Sequence, residues 1–190
     1  MLRTSTLIGA AAAGLLLTVA ACHNDELFRP AAITPIDPVF SRYVSVGNSI
    51  TAGFQSGGIN DSTQQQSYAN LLASRMQTPF FMPLLNRPGC PPPIDTLFTA
   101  TGTPHRVGGG SGATCLLRKT PAAPPPFISD VAVPGAWVID ATSNLAPGTH
   151  PNTLTTLLLG GLTQTQMLLR ADPTFVTVWL GNNDVLSAAT

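Results

Sequence analysis

Apolar and polar positions alternate in Arg42-Tyr43-Val44-Ser45-Val46, which reads as a short β-strand over residues 42–46. Gly47-Asn48-Ser49 breaks the alternation, and residues 53–66 read as a polar loop around Gly57-Gly58. Tyr68, Leu71, Leu72 and Met76 then recur at helical spacing. They predict a helix over 67–76, entered from Gln66 or Ser67 and stopped by Pro79. Residues 130–133 form a second strand candidate, ending at Pro134-Gly135-Ala136. Residues 153–170 present Leu154, Leu157, Leu158, Leu162, Met167 and Leu168 for burial and predict one amphipathic helix, with Gly160-Gly161 as its weak point. Residues 175–180 are strongly apolar and rich in β-branched and aromatic residues, the pattern of a buried strand. They break at Gly181-Asn182-Asn183-Asp184. Strands alternating with helices predict an α/β fold with a parallel sheet covered on both faces.

The long interval between these periodic segments, residues 79–127, is dominated by Pro, Gly, Thr and Ala. It reads as an excursion from the sheet rather than a further layer. Eighteen prolines in 190 residues agree with a loop-rich chain.

The N-terminus has a different pattern. Arg3 precedes an apolar stretch from Leu7 to Ala21, shorter than the ~20 residues of a membrane span and suited to a signal peptide. Its end, Val19-Ala20-Ala21-Cys22, resembles the bacterial lipobox. That resemblance implies cleavage before Cys22 and a lipid on its sulfur. Three segments are therefore expected: a lipoprotein signal peptide at 1–21, a tether at 22–40 broken by Pro30, Pro35 and Pro38, and a folded domain at 41–190. The expected location is the bacterial cell envelope, outside the cytoplasm and held by the anchor. In that oxidising setting Cys90 and Cys115 form an even pair and predict a disulfide that pins the excursion.

Charge narrows the function. Charged residues are 9% of the chain, against an average near 25%, and the formal net charge is zero. No basic stripe points to nucleic acid. No Cys-x-x-Cys occurs and His23, His105 and His150 are scattered, so no metal site is expected.

The candidate chemistry lies at three strand ends. In a parallel sheet these converge on one edge, where ligand crevices form. Ser49 would offer a hydroxyl, Gly135 a closely approachable backbone N–H, and Asn183 a neutral side-chain donor. Each has a plainer reading as a helix cap or turn residue. Asp130 and Asp140 read as solvated loop acids, and Trp137 and Trp179 as core.

Taken together and in order, the three turns resemble the SGNH/GDSL hydrolases, a family of esterases and lipases. Tyr43 to Gly53 resembles the family's first block, Ala132 to Ala136 its second and Val178 to Asp184 its third. The likeness spans about residues 42–186. It implies a flavodoxin-like α/β/α sandwich and hydrolysis of carboxylic esters through an acyl-enzyme on Ser49, without cofactor. It also implies an oxyanion hole from the Ser49 N–H, the Gly135 N–H and the Asn183 side chain. The implied partners are a small-molecule, lipid or carbohydrate ester and, through Cys22, a membrane. Two departures stand out. Asn48 occupies the place of the family's usual Asp, and no Asp-x-x-His follows the third block. The base and its carboxylate are therefore expected beyond Thr190, with the sheet incomplete at that end. The alternative is a lipid-anchored surface protein that uses the same fold only to bind.

Overall fold

The computed structural model describes residues 37–189. The expected signal peptide, Cys22 and most of the tether lie outside the described residues. Pro38–Phe40 forms a 3-10 turn, with the Asp37 carboxylate accepting from Val39 N at 2.9 Å. Pro38 thus opens a turn, because a proline at the first position forfeits no hydrogen bond.

β1 (Tyr43–Gly47) follows and is buried at every position. α1 (Ser49–Ala52) is a single turn, entered from Asn48 and closed by Gly53 at φ 80°. α2 (Asp61–Gln65) lies where a polar loop is expected. Asn60 and Thr63 cap one another reciprocally, which stabilises a helix too short and polar to announce itself by periodicity. α3 (Tyr68–Met76) starts after Ser67, whose hydroxyl accepts from Asn70 N at 3.2 Å. Its buried residues are Ala69 and Ala73, whereas Leu71 is 57% exposed.

The excursion contains one small antiparallel pair, β2 (Ile94–Thr96) with β3 (His105–Arg106), and is otherwise largely irregular. Cys90 and Cys115 are bonded within it. Its inner edge is held by a side chain. Buried Gln64 accepts from Leu85 N at 2.8 Å and donates to Pro83 O at 3.1 Å, doing for this extended strip what a neighbouring strand would do.

The expected helix over 153–170 is two helices, α4 (Thr153–Leu159) and α5 (Gln164–Ala171). Gly160 and Gly161 both adopt positive φ, 65° and 82°, which ends the first helix in the left-handed region. Thr163 then caps the second, its hydroxyl accepting from Gln166 N at 3.1 Å. β4 (Phe175–Trp179) pairs with β1 in parallel, from Tyr43 opposite Phe175 to Gly47 opposite Trp179. α6 (Asn182–Ala188) buries none of its residues.

The strand expected over 130–133 is present as a short bridged segment. Ser45 N donates to Ser129 O at 2.8 Å, Val131 N to Ser45 O at 3.0 Å, and Val133 N to Gly47 O at 3.1 Å. β1 therefore has neighbours on both sides. β4 has one among the described residues, and Val178 and Trp179 are 65% and 49% exposed. The expected burial of this strand is corrected accordingly. The core gathers Val44, Val46, Val131 and Val133 from the sheet with Leu154, Leu158, Met167 and Ala171 from α4 and α5. The domain is mixed α/β around a two-stranded parallel sheet. Among the described residues no helix is long and apolar enough to cross a membrane.

Candidate active site

Gly47 ends β1 with no room for a side chain, since a Cβ there would run into the Thr51 side chain. The buried amide of Gln164 brackets the same residue, accepting from Gly47 N and donating to Gly47 O, each at 2.9 Å. The chain is thereby fixed as it leaves the sheet. Asn48 is fully buried. Its Oδ1 accepts from Ile50 N at 3.3 Å and its Nδ2 donates to Asn182 Oδ1. An ionised Asp could not make that second bond, because it has no donor. Ser49 follows, half-buried, at the start of α1. Neither its Oγ nor its N–H donates to a protein acceptor among the described residues. α1 is one turn long, so any anion stabilisation here comes from individual N–H groups rather than from a helix dipole.

Gly135 adopts φ +85° in the second turn, a conformation that favours glycine, and a Cβ there would approach Asn152 Nδ2 to 3.2 Å. Its N–H also lacks a protein acceptor among the described residues. Asn152 caps α4 with its Oδ1 and donates its Nδ2 to Pro134 O at 2.9 Å. Pro134 O and Gly135 N–H belong to one planar peptide. Holding the carbonyl from one side therefore aims the N–H to the other and polarises it.

Asp140 is not the solvated acid the sequence suggests. It is buried, accepting from Trp137 N at 2.8 Å and His150 N at 2.6 Å, and so ties the second turn to the loop before α4. The His150 ring lies on Trp137 with centroids 4.0 Å apart. Trp137 is half-buried under that ring and Trp179 packs on Tyr68 at 5.8 Å, so neither tryptophan joins the central core.

Asn183 donates to Ala136 O at 2.8 Å, and the Asp184 carboxylate accepts from Val138 N at 3.1 and 3.2 Å. These bonds join the third turn to the second, while Asn48 and Asn182 join it to the first. Ser49, Gly135 and Asn183 therefore share one rim at the carboxyl end of the sheet. An amide carries two N–H bonds, so Asn183 keeps a second donor. No hydrogen bond links Ser49 to an imidazole among the described residues. His105 instead pairs with Asp95 at 2.6 Å in the β2–β3 hairpin, a bond that lowers the Asp95 pKa.

Below the rim lies Asp130, another acid read from sequence as solvated. It is buried, accepting from Ser45 Oγ at 3.0 Å and Ala132 N at 3.2 Å. Desolvation pushes its carboxyl up to about 7, against the lowering effect of those two bonds. No group of three or more His, Cys, Asp or Glu able to hold a metal occurs among the described residues.

Gln164 and Asn152 escape a reading that looks only for reactive groups. For Asn152 a signal exists, the Asn-x-x-Thr spacing of a reciprocal cap. No family model matches this chain, and no curated protein or solved structure matches it.

Proposed function

We propose that the chain carries the nucleophile and oxyanion donors of a serine ester hydrolase of the SGNH/GDSL type, built on a flavodoxin-like sandwich and anchored in the cell envelope through Cys22. The observation that carries this reading is the hydrogen-bonded meeting of three strand-end turns beside a serine whose hydroxyl has no protein partner among the described residues. Ser49 Oγ would attack the ester carbonyl. The oxygen that becomes negative would be received by the Ser49 N–H, the Gly135 N–H and the free N–H of Asn183. These donors are held before reaction, so they need no reorganisation as charge develops, and each is worth ~2.7–4 kcal/mol. The alcohol leaves, and water then cleaves the acyl-enzyme.

A serine hydroxyl needs a base, and none bonds to Ser49 among residues 37–189. The proposal assigns the base to residues outside them. The same observation is what favours the second reading, a non-catalytic binding protein. Fluorophosphonate labelling of the protein expressed from its whole reading frame separates the two. The hydrolase reading expects the adduct on the peptide containing Ser49 and its loss in Ser49→Ala. A Ser49 that stays unlabelled under conditions that label a control hydrolase leaves only the binder.

A further inference from the structure

At the other end of the sheet the excursion leaves a groove. Lys119 N donates to Leu84 O at 2.7 Å, and Ser129 N donates to Phe81 O at 2.8 Å. Between these two pins residues 120–128 must span far less distance than their length allows, so they arch away from residues 81–84. Pro121 and Pro124-Pro125-Pro126 keep the arch open, since they have fixed φ and no N–H with which to zip onto the facing strip. The hollow beneath has a volume of about 530 Å³, within the roughly 300–1,000 Å³ range of small-ligand sites. Its walls are mainly apolar, including Phe80, Met82, Leu84, Pro125 and Ile128. Phe127 meets Phe81 edge to face at 5.2 Å beside it.

Arg118 and Lys119 line the same hollow. Arg118 gives one bond, Nη1 to Leu158 O at 3.1 Å, and its guanidinium has further N–H groups. Lys119 shares Asp61 with Arg87, at 2.6 and 2.8 Å. Burial pushes Asp61 upward, but the two cations together hold its pKa below the ordinary value. Three cations thus stand against one carboxylate, in a chain whose net charge is zero. The same two residues also line an adjoining hollow of about 440 Å³. Arg118 and Lys119 are thus common to both hollows.

We propose that this groove binds a single-chain anionic amphiphile, a long-chain fatty acid, with its hydrocarbon under the proline arch and its carboxylate at Arg118. It is distinct from the Ser49 rim. Tyr43, at the start of β1, stacks on Phe80 with centroids 5.2 Å apart, whereas Ser49 follows the strand's far end.

The test is calorimetric titration of the full chain with dodecanoate, octanoate and dodecanol. Saturable 1:1 binding of dodecanoate is expected. Octanoate should bind weaker by about fourfold for each methylene removed from the groove. Arg118→Glu should weaken dodecanoate at least tenfold while leaving dodecanol unchanged. Ala123→Trp, an exposed groove residue, should abolish both by filling the hollow. Ser49→Ala should alter neither. Absence of saturable binding overturns the proposal. Dodecanoate binding that ignores both groove substitutions, or that disappears with Ser49, also overturns it. The Ser49 control keeps this outcome separate from the fate of the hydrolase reading.

Discussion

β1 and β4 are parallel partners of equal length and similar composition, yet every residue of β1 is buried and none of β4 is. The difference lies in their neighbours. β1 is hydrogen-bonded on both sides, by β4 and by residues 129–133, and α4 and α5 contribute to the core around it. β4 is an edge among the described residues, and the helix that follows it buries nothing. The candidate site straddles this divide. Ser49 and Gly135 stand on the well-packed side, held by Gln164, Asn152 and Asp140. Asn183 stands on the open side, tied across by Asn48–Asn182 and by its own bond to Ala136. Two of the proposed oxyanion donors are thus placed by the core, and the third by a few polar cross-links.

Hydrogen exchange should separate the two sides most widely. The amides of Ser45, Val131 and Val133 should open only with global unfolding, and those of α6 by local fraying, a contrast of about a thousandfold or more. Equal protection would erase the distinction. The next effect is pH-dependent. Asp130 binds its proton more tightly folded than unfolded, so between its ordinary value near 4 and its folded value of about 7 the native state holds more protons. Stability should therefore be full at the acid end of that window, fall by at most about 1.4 kcal/mol per pH unit through it, and level off above. Asp130→Asn keeps an acceptor for Ser45 Oγ and Ala132 N and should flatten the profile. Thermal melts across pH 4–8 read this directly, and a wild-type profile already flat contradicts it.

Smaller effects sharpen the comparison residue by residue. Val44→Ala should cost about 2–3 kcal/mol in denaturant unfolding, from lost burial and the cavity left behind. Val178→Ala, exposed on the edge strand, should stay within about 0.5 kcal/mol. Similar values for the pair would mean that β4 is covered in solution. Asn152→Ala should lower kcat on p-nitrophenyl butyrate about tenfold with KM unchanged, since it frees the Pro134–Gly135 peptide without touching substrate. A change in KM alone would assign Asn152 to binding instead.

Much of the buried side is legible in the sequence. Alternation marks β1, the Gly-Asn-Ser turn marks its exit, and Ser67 marks the start of α3. The pairing of Cys90 with Cys115 follows from cysteine number and expected compartment. Other features depend on tertiary partners that no local pattern encodes. Asp130 and Asp140 look like loop acids until the N–H groups around them are placed. Gln64 and Gln164 look like surface amides until each is found buried and bonded to both a backbone N–H and a backbone C=O. The apolar run of β4 predicts a burial that the strand does not have, because burial needs a neighbour and composition cannot supply one. Gly160-Gly161 is visible as a weak point, yet only their left-handed φ values turn weakness into a break.

The central claim is that Ser49, Gly135 and Asn183 surround one reacting oxygen. The structure of the phosphonylated protein tests it directly. The account predicts phosphorus on Ser49 Oγ and a phosphonyl oxygen about 2.7–3.1 Å from the Ser49 N, Gly135 N and Asn183 Nδ2 atoms. A phosphonyl oxygen pointing into solvent, with the Asn183 amide turned away from it, would contradict the account.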